Sequence, residues 1–396
     1  MRDVEPMPLS GRRFYFVGIG GAGLSAYANI ARAWGAEVRG WDARETIFMT
    51  TLEDVEIDLG GDPSPPFGWE TVVSTAHVGR VDGTTRAEFL AELVASRPSI
   101  VVGGAHGKTT TAAMIALALR DTGRDPSWII GGIVPQLDGN AGAGSGWLIV
   151  EGDESDRSIG HLRPRIAVLT NIELDHHATY GSEAELRAFL DDWASSVQEV
   201  VRSWELEPVS FDLAVAGEHN RQNAAAALRA LELAGVPRDE AEPALAAFTG
   251  VDRRFQLVGE ARGVAVYDDY GHNPTELAVT LRTARSHTER HLIAIYQPHV
   301  YERTRQLAPE LAAALGLADA AIVTEVVGAR DAPRGDVTGK WVLDRLPAHV
   351  RAGWARTLDD AARLALDWAG PGDVVVTLGV GEPWRAARAI VEGLNA

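Results

Sequence analysis

Three times along this chain an apolar run of strand length ends in glycine or polar residues, and a helix-periodic segment follows at once. RRFYFVGIGGAG leads into SAYANIARAWG, PSIVVGGAHGKTTT into AAMIALALRDTG, and VAVYDDYGHNPTE into LAVTLRTARS. A strand that feeds a helix through a short turn pairs with the next strand in parallel, with the helix packed across the sheet. ETVVSTA, WLIVEGDES, IAVLTNIE, HLIAIYQPHV, ADAAIVTEV and GDVVVTLGVG read as further strands, and AEFLAELVA, EAELRAFLDDWASSV, HNRQNAAAALRALELAG and DDAARLALDWA as helices. The fold class is therefore α/β with mostly parallel sheets. The strand–helix order restarts near 98 and near 255, which predicts three domains over 1–97, 98–250 and 251–396. In such sheets ligands bind at the carboxyl ends of strands, where the polar motifs of this chain also fall.

Composition narrows the function classes. The formal net charge is −18 with no dense basic tract, which disfavours nucleic acid as a partner. No run reaches the ~18 apolar residues of a membrane helix, and MRDVEPMPLSGRR has no apolar leader core, so a cytoplasmic protein without a membrane partner is expected. Absence of cysteine excludes disulfides and thiolate sites. Only two residues are lysine, Lys108 and Lys340. A high-GC genome explains the scarcity, but not why one of the two lies in a glycine loop where lysine is the usual phosphate ligand.

That loop is Gly104-Ala-His106-Gly107-Lys108-Thr109-Thr110. It is shorter than the familiar G-x-x-x-x-G-K-[ST] pattern, since Val102 stands where the first glycine would be. Backbone N–H groups there would cradle phosphates, Lys108 would reach the β- and γ-oxygens, and a threonine hydroxyl would hold Mg²⁺. Threonine caps on a bare helix start would leave the lysine unexplained. Glu151-Gly-Asp153-Glu154-Ser-Asp156 ends a nearby strand and offers oxygen ligands for a cation on ATP; Glu151 or Glu154 is the candidate, not all four acids. Asn171-Ile-Glu-Leu-Asp175-His176-His177 ends the next strand, and a histidine there could bind metal or orient substrate.

The remaining motifs are less decisive. Gly18, Gly20, Gly21 and Gly23 follow a strand and open a helix, and Asp42 ends the next strand, an arrangement that suits a pyrophosphate but does not separate NAD from another diphosphate. His219, Asn220 and Asn223 begin a helix and serve either as caps or as readers of a purine edge. Asp268-Asp269-Tyr270-Gly271-His272-Asn273-Pro274 and Gln297-Pro298-His299-Val300-Tyr301-Glu302-Arg303-Thr304-Arg305 each follow a strand and place polar groups at a helix start. Alone, each reads equally well as a cap or a solvated turn; two in one domain favour a site.

Taken together, VGIGGAGLSA, GGAHGKTTTAAMIA, GGIVPQL, EGDESD, LTNIELDH, GEHNRQNAAAA, GVDRRF, DDYGHNPTE and QPHVYERTR resemble the Mur ligases in family order over nearly the whole chain. The short phosphate loop is itself typical of that superfamily. The resemblance implies three domains, for a UDP-sugar, for ATP and for the incoming amino acid. It assigns Gly18, Gly20, Gly21, Gly23 and Asp42 to a uridine diphosphate rather than NAD. It gives Gly104, His106, Gly107, Lys108, Thr109, Thr110, His219, Asn220, Asn223 and Arg254 to ATP, and Thr109, Glu151 and His176 to Mg²⁺, with Glu154 as an alternate. Lys108, His176, Asp269, His272 and Arg303 would serve catalysis. The alanine-adding branch is the nearest resemblance, which implies an ADP-forming ligase joining L-alanine to the lactyl carboxylate of UDP-N-acetylmuramate through an acyl phosphate.

Residues 109–339 hold no lysine, so the carbamylated lysine of several sister enzymes has no counterpart there. Departures fall elsewhere: the first domain and the stretch between Tyr180 and Phe211 are short, Asn273 replaces a histidine, Val300 an arginine, and EVVGARDAPRG an acidic, tyrosine-containing segment. The competing readings are a sister ligase adding another amino acid or a peptide, a dinucleotide-dependent oxidoreductase, and a non-catalytic nucleotide-binding relative.

Overall fold

The computed structural model describes residues 7–52, 54–174, 179–328 and 335–396. The chain divides into two compact units, Met1–Thr249 and Gly250–Ala396. The first carries two sheets and the second carries one.

The first sheet uses β1 (Arg13–Val17), β2 (Glu37–Asp42), β3 (Glu56–Leu59), β4 (Glu70–Val73) and β5 (Thr84–Thr85), all parallel, in the order β3-β2-β1-β4-β5. Helix α1 (Ala22–Ala33) returns from β1, and α2 (Arg86–Ala95) follows β5. Strand order reverses between β1 and β4, which opens a crevice at their carboxyl ends. Phe14 and Phe16 project from β1 onto Phe89 of α2 at centroid distances of 5.0 and 5.5 Å, both edge-to-face.

The second sheet runs β11-β10-β6-β9-β7-β8. Its members are β6 (Ser99–Gly103), β7 (Ser127–Val134), β8 (Gly139–Gly142), β9 (Leu148–Glu151), β10 (Ile166–Leu169) and β11 (Glu199–Arg202). Every residue of β6 is buried, as a central parallel strand covered on both faces requires. Register puts Gly103 level with Leu169 of β10 and Val102 level with Glu151 of β9, so the ends of three strands meet around residue 104. Helices α3 (Lys108–Asp121), α4 (Glu183–Ser195), α5 (Glu218–Leu233) and α6 (Arg238–Ala246) complete this region. One apolar cluster joins both sheets of the unit, from Phe14 and Leu24 to Leu148, Leu169, Leu190 and Trp193.

The second unit orders its strands β12-β13-β17-β14-β15-β16. They are β12 (Gln256–Ala261), β13 (Val264–Asp269), β14 (Leu292–Tyr296), β15 (Ala320–Val323), β16 (Arg351–Trp354) and β17 (Val374–Leu378), with α7 (Pro274–Arg285), α8 (Tyr301–Leu315), α9 (Lys340–Leu343), α10 (Leu358–Trp368) and α11 (Pro383–Asn395). The last strand inserts between β13 and β14, so Asp269, Leu378 and Tyr296 end level at a second crevice.

The parallel α/β reading holds, with two antiparallel exceptions: the pair β7/β8 and the edge strand β12 on β13. Among the described residues no helix is long and apolar enough to cross a membrane.

Two helices start with reciprocal capping boxes, Thr85 with Glu88 on α2 and Thr357 with Asp360 on α10. Each satisfies N–H groups that the helix cannot pair internally. Replacing Thr357 by alanine is expected to lower the unfolding free energy by about 1 kcal/mol in denaturant titrations, without changing the denaturant slope.

Candidate active site

The phosphate loop is defined by what its glycines avoid. Gly104 has φ +122°, and a Cβ there would stand 2.3 Å from Thr170 Oγ1. Gly107 has φ +79°, and its Cβ would stand 2.5 Å from Asn223 Oδ1. Both positions therefore exclude a side chain on conformation and on space. Between them the main chain is clamped: His106 N donates to Asn171 Oδ1 at 3.0 Å, and Asn171 Nδ2 donates back to His106 O at 2.9 Å. Thr170 Oγ1 donates to the same carbonyl at 2.5 Å. The end of β10 thus holds the loop that leaves β6. Helix α3 then begins with no side-chain cap, so its first-turn N–H groups and positive end are turned toward the loop. Threonine caps do not form here.

Lys108 and Thr109 point to different acids. Lys108 Nζ donates to Gly104 O, to Ala105 O at 3.3 Å and to Glu154 Oε1 at 3.0 Å. Burial pulls its pKa down, but the fields of Glu154 and Glu151 outweigh that and hold it above the ordinary lysine value. Thr109 Oγ1 lies 2.9 and 3.0 Å from the two oxygens of Glu151, and Gly131 N donates to Glu151 Oε2 at 2.7 Å. The other two acids of EGDESD shape their own turns: Asp153 accepts from Ser155 N at 2.8 Å, and Asp156 from Ser158 N at 2.9 Å. Burial raises the Asp153 carboxyl, yet the two hydrogen bonds from Ser155 bring it below its usual value.

A hydroxyl and a carboxylate side by side at a helix start form the donor set a hard cation prefers, so Thr109 and Glu151 fit Mg²⁺. Among the described residues no three carboxylates or imidazoles are placed to hold one metal ion together. His176, the expected histidine ligand, lies outside the described residues. On the same segment Glu173 Oε2 sits 3.2 Å from His106 Nε2.

Helix α5 brings the asparagine motif to this loop. Asn223, 7% exposed, packs on Gly107, and its Nδ2 donates to Asn220 Oδ1 at 3.2 Å. Asn220 Nδ2 donates to Ala216 O at 2.7 Å, and burial lowers the His219 pKa. Sequence reasoning did not assign roles to Thr170, Asn171, Glu173 or Gly131, although the first three lie inside LTNIELDH and the last opens GGIVPQL.

In the first sheet, the glycine loop wraps the end of β1. Gly18, with φ +86°, leaves room for Ser74 Oγ, which a Cβ would approach to 2.5 Å. Asp42 Oδ2 accepts from Gly20 N at 2.9 Å, so this carboxylate tightens the loop. Gly21 caps α1 without a side-chain bond, and Gly23 lies in the first helical turn. A cavity of about 390 Å³ beside the loop is lined by Trp41, Gly60, Gly61, Asp62, His77 and Arg80, among others.

The second unit gathers its own polar set. Asp269, 6% exposed, accepts from Phe255 N and Gly271 N, both at 2.7 Å. Burial lifts its carboxyl to about 6, opposed by Arg254 and by those two hydrogen bonds. Arg254 lies 5.2 Å from the Tyr270 ring, and His272 Nδ1 lies 3.2 Å from both Tyr270 O and Glu276 Oε2. Asn273 caps α7 ahead of Pro274. Asp268 turns the other way, to Arg253 Nε at 2.9 Å, while the Arg253 guanidinium also binds the carbonyls of Gly379, Val380 and Gly381. Val300 has φ +69° directly before α8, whose first five residues include Arg303 and Arg305.

The chain is similar to proteins of known family along nearly its whole length. The family described as Mur ligase, glutamate ligase domain, matches residues 253–381. The UDP-N-acetylmuramate–L-alanine ligase of Renibacterium salmoninarum is 36% identical over 449 aligned positions, covering 96% of this chain and 96% of that protein. The enzyme of the same name from Thermobifida fusca is 33% identical over 458 positions, covering 97% of each. Both alignments are longer than the 396-residue chain, so these relatives carry segments absent here. Among solved structures, UDP-N-acetylmuramate–alanine ligase from Thermotoga maritima superposes with a TM-score of 0.78 at 26% identity, covering 97% of this chain and 99% of that one. A MurF ligase from the same organism, solved with ADP, shares the fold at a TM-score of 0.62 and 17% identity, covering 99% of this chain and 100% of that one.

Two outcomes follow from the geometry. Gly107→Ala is expected to weaken ADP binding at least roughly tenfold in calorimetry, because the added methyl displaces Asn223 or the loop. For Asp269 the folded pKa of about 6 exceeds the ordinary aspartate value of 3.8, so its contribution to stability is full below 3.8 and is lost as pH rises through about 6. Asp269→Asn is expected to gain about 3 kcal/mol relative to the parent between about pH 4 and pH 8 in denaturant titrations.

Proposed function

We propose, for a chain that belongs to the Mur ligase family, that it joins L-alanine to the lactyl carboxylate of UDP-N-acetylmuramate with conversion of ATP to ADP and phosphate. It is an ATP-dependent carboxylate–amine ligase of peptidoglycan precursor synthesis. The observation that carries the ATP half is the uncapped helix start behind a clamped glycine loop, with Lys108 and the Thr109–Glu151 pair at its edge. The names of the curated relatives support the substrates.

In this reading residues 1–97 take the UDP-sugar, with Gly18, Gly20, Gly21 and Gly23 at the diphosphate and Asp42 fixing the loop. Residues 98–250 take ATP, and residues 251–396 take the amino acid. A cytoplasmic place is part of the same reading.

A free carboxylate is a poor acyl donor, because its leaving group would be oxide. Transfer of the γ-phosphoryl group makes an acyl phosphate, and the amine then displaces phosphate through a tetrahedral intermediate. Backbone N–H groups of residues 104–110 orient the phosphates, and Lys108 stabilises charge on the transferring group. Thr109 and Glu151 would hold Mg²⁺, with His176 as the further ligand. When bound, the cation neutralises phosphate charge and orients the transferring group. Asn223 packs on Gly107, and His219, Asn220 and Asn223 are the residues this reading gives to adenosine. Asp269 holds the main chain that presents Arg254 and His272, so its role is positioning. Arg303 is assigned to the amino-acid side.

The test is direct. With ATP, Mg²⁺ and UDP-N-acetylmuramate, alanine should trigger phosphate release and a product heavier by one alanyl residue in mass spectrometry. Release with a peptide instead of alanine would move the chain to a sister activity, and nucleotide binding without turnover would leave a non-catalytic relative. Lys108→Ala should lower turnover by at least roughly a thousandfold; near-parent rates would remove the phosphate loop from the mechanism.

A further inference from the structure

An ammonium group has three hydrogens to donate, and Lys108 has three acceptors: the carbonyls of Gly104 and Ala105 and the carboxylate of Glu154. The two carbonyls belong to a main chain that Thr170 and Asn171 hold in place. The carboxylate is the one acceptor of the three on a rotatable side chain. It is also the one that resembles a phosphate oxygen in charge and in preferred geometry. A phosphate oxygen reaching Lys108 must replace one of the three, and the side chain can leave where the main chain cannot.

Glu154 is built for this place. Its side chain is 1% exposed. Its backbone is fixed from below, where Tyr180 OH and Arg157 N donate to Glu154 O at 2.7 and 3.1 Å. Glu151, three residues earlier, is engaged by Thr109 and Gly131 instead. The two acids therefore divide the loop between them, one on the lysine and one on the threonine.

We propose that Glu154 is not a metal ligand but a positioning residue that occupies Lys108 in place of the nucleotide phosphates and gives it up when they bind. The proposal rests on the ATP-site reading above. Removing the Glu154 charge leaves a nearly buried cation without its counterion, so an incoming phosphate meets no competitor. A metal ligand behaves differently, because its loss weakens only the metal-dependent part of binding.

Calorimetry with ADP in excess EDTA separates the two. Glu154→Gln is expected to tighten metal-free ADP binding roughly tenfold, the size of one charge-assisted hydrogen bond, and to leave the Mg²⁺ concentration for half-maximal turnover unchanged. Glu151→Gln is expected to show the reverse: unchanged metal-free affinity and a raised Mg²⁺ requirement. Metal-free affinity that is unchanged or weaker in Glu154→Gln, or a raised Mg²⁺ requirement, overturns the proposal. If Glu154→Gln does not fold, Glu154→Asp, which withdraws the carboxylate by one methylene, should tighten metal-free ADP in the same direction by a smaller factor; no tightening overturns it equally. Lys108→Ala is the control for the underlying reading. Parent and Lys108→Ala binding ADP equally would overturn the ATP-site assignment, and this proposal with it.

Discussion

The pairing of the Asn171 side chain with both main-chain groups of His106 is the contact on which the shape of the glycine loop depends. A shortened glycine loop has few internal hydrogen bonds with which to fix itself, and buried or half-buried peptide groups without partners are costly. Asn171 supplies an acceptor and a donor in one planar group, and Thr170 adds a second donor. Both stand just past β10, so the parallel pairing of β10 with β6 sets where they act. Sheet register, loop shape and the direction of the Lys108 side chain form one chain of cause. Shifting β10 by one residue would turn its side chains to the opposite face and leave the loop unclamped.

Much of this site was legible in the sequence because local patterns carried it. A strand, two glycines, a lysine and a helix in that order are the local signature of a candidate phosphate site. The acids at the ends of β9 and β13 were legible as candidates because strand ends in parallel sheets are where ligands bind. What each acid does was not legible. Asp268 and Asp269 are neighbours in sequence, yet successive residues of a strand face opposite sides, so one meets Arg253 and Thr377 while the other meets the main chain of residues 255 and 271. The Thr109–Glu151 and Lys108–Glu154 pairs span 42 and 46 residues, and only the sheet order brings them together.

The fold shows the same division. Parallel strands with crossover helices announced themselves through periodicity. The hairpin of β7 and β8 did not, because paired glycines interrupt the apolar pattern of SWIIGGIV and no strand was read there. One of those glycines, Gly131, is there for contact: a Cβ on it would stand 2.6 Å from Glu151 Oε2, and its N–H binds that oxygen. A residue that weakens a strand locally stands where the sheet admits a carboxylate.

The packing of Gly104 against Thr170 and of Gly107 against Asn223 has a thermodynamic consequence. These glycines are the residues with most freedom to lose, and here they are fixed from two sides before any ligand arrives. The entropy of ordering the loop is therefore lost when the unit folds, not when phosphate enters. Such a loop is a socket rather than a flap. Any large rearrangement that accompanies turnover must be sought in other segments.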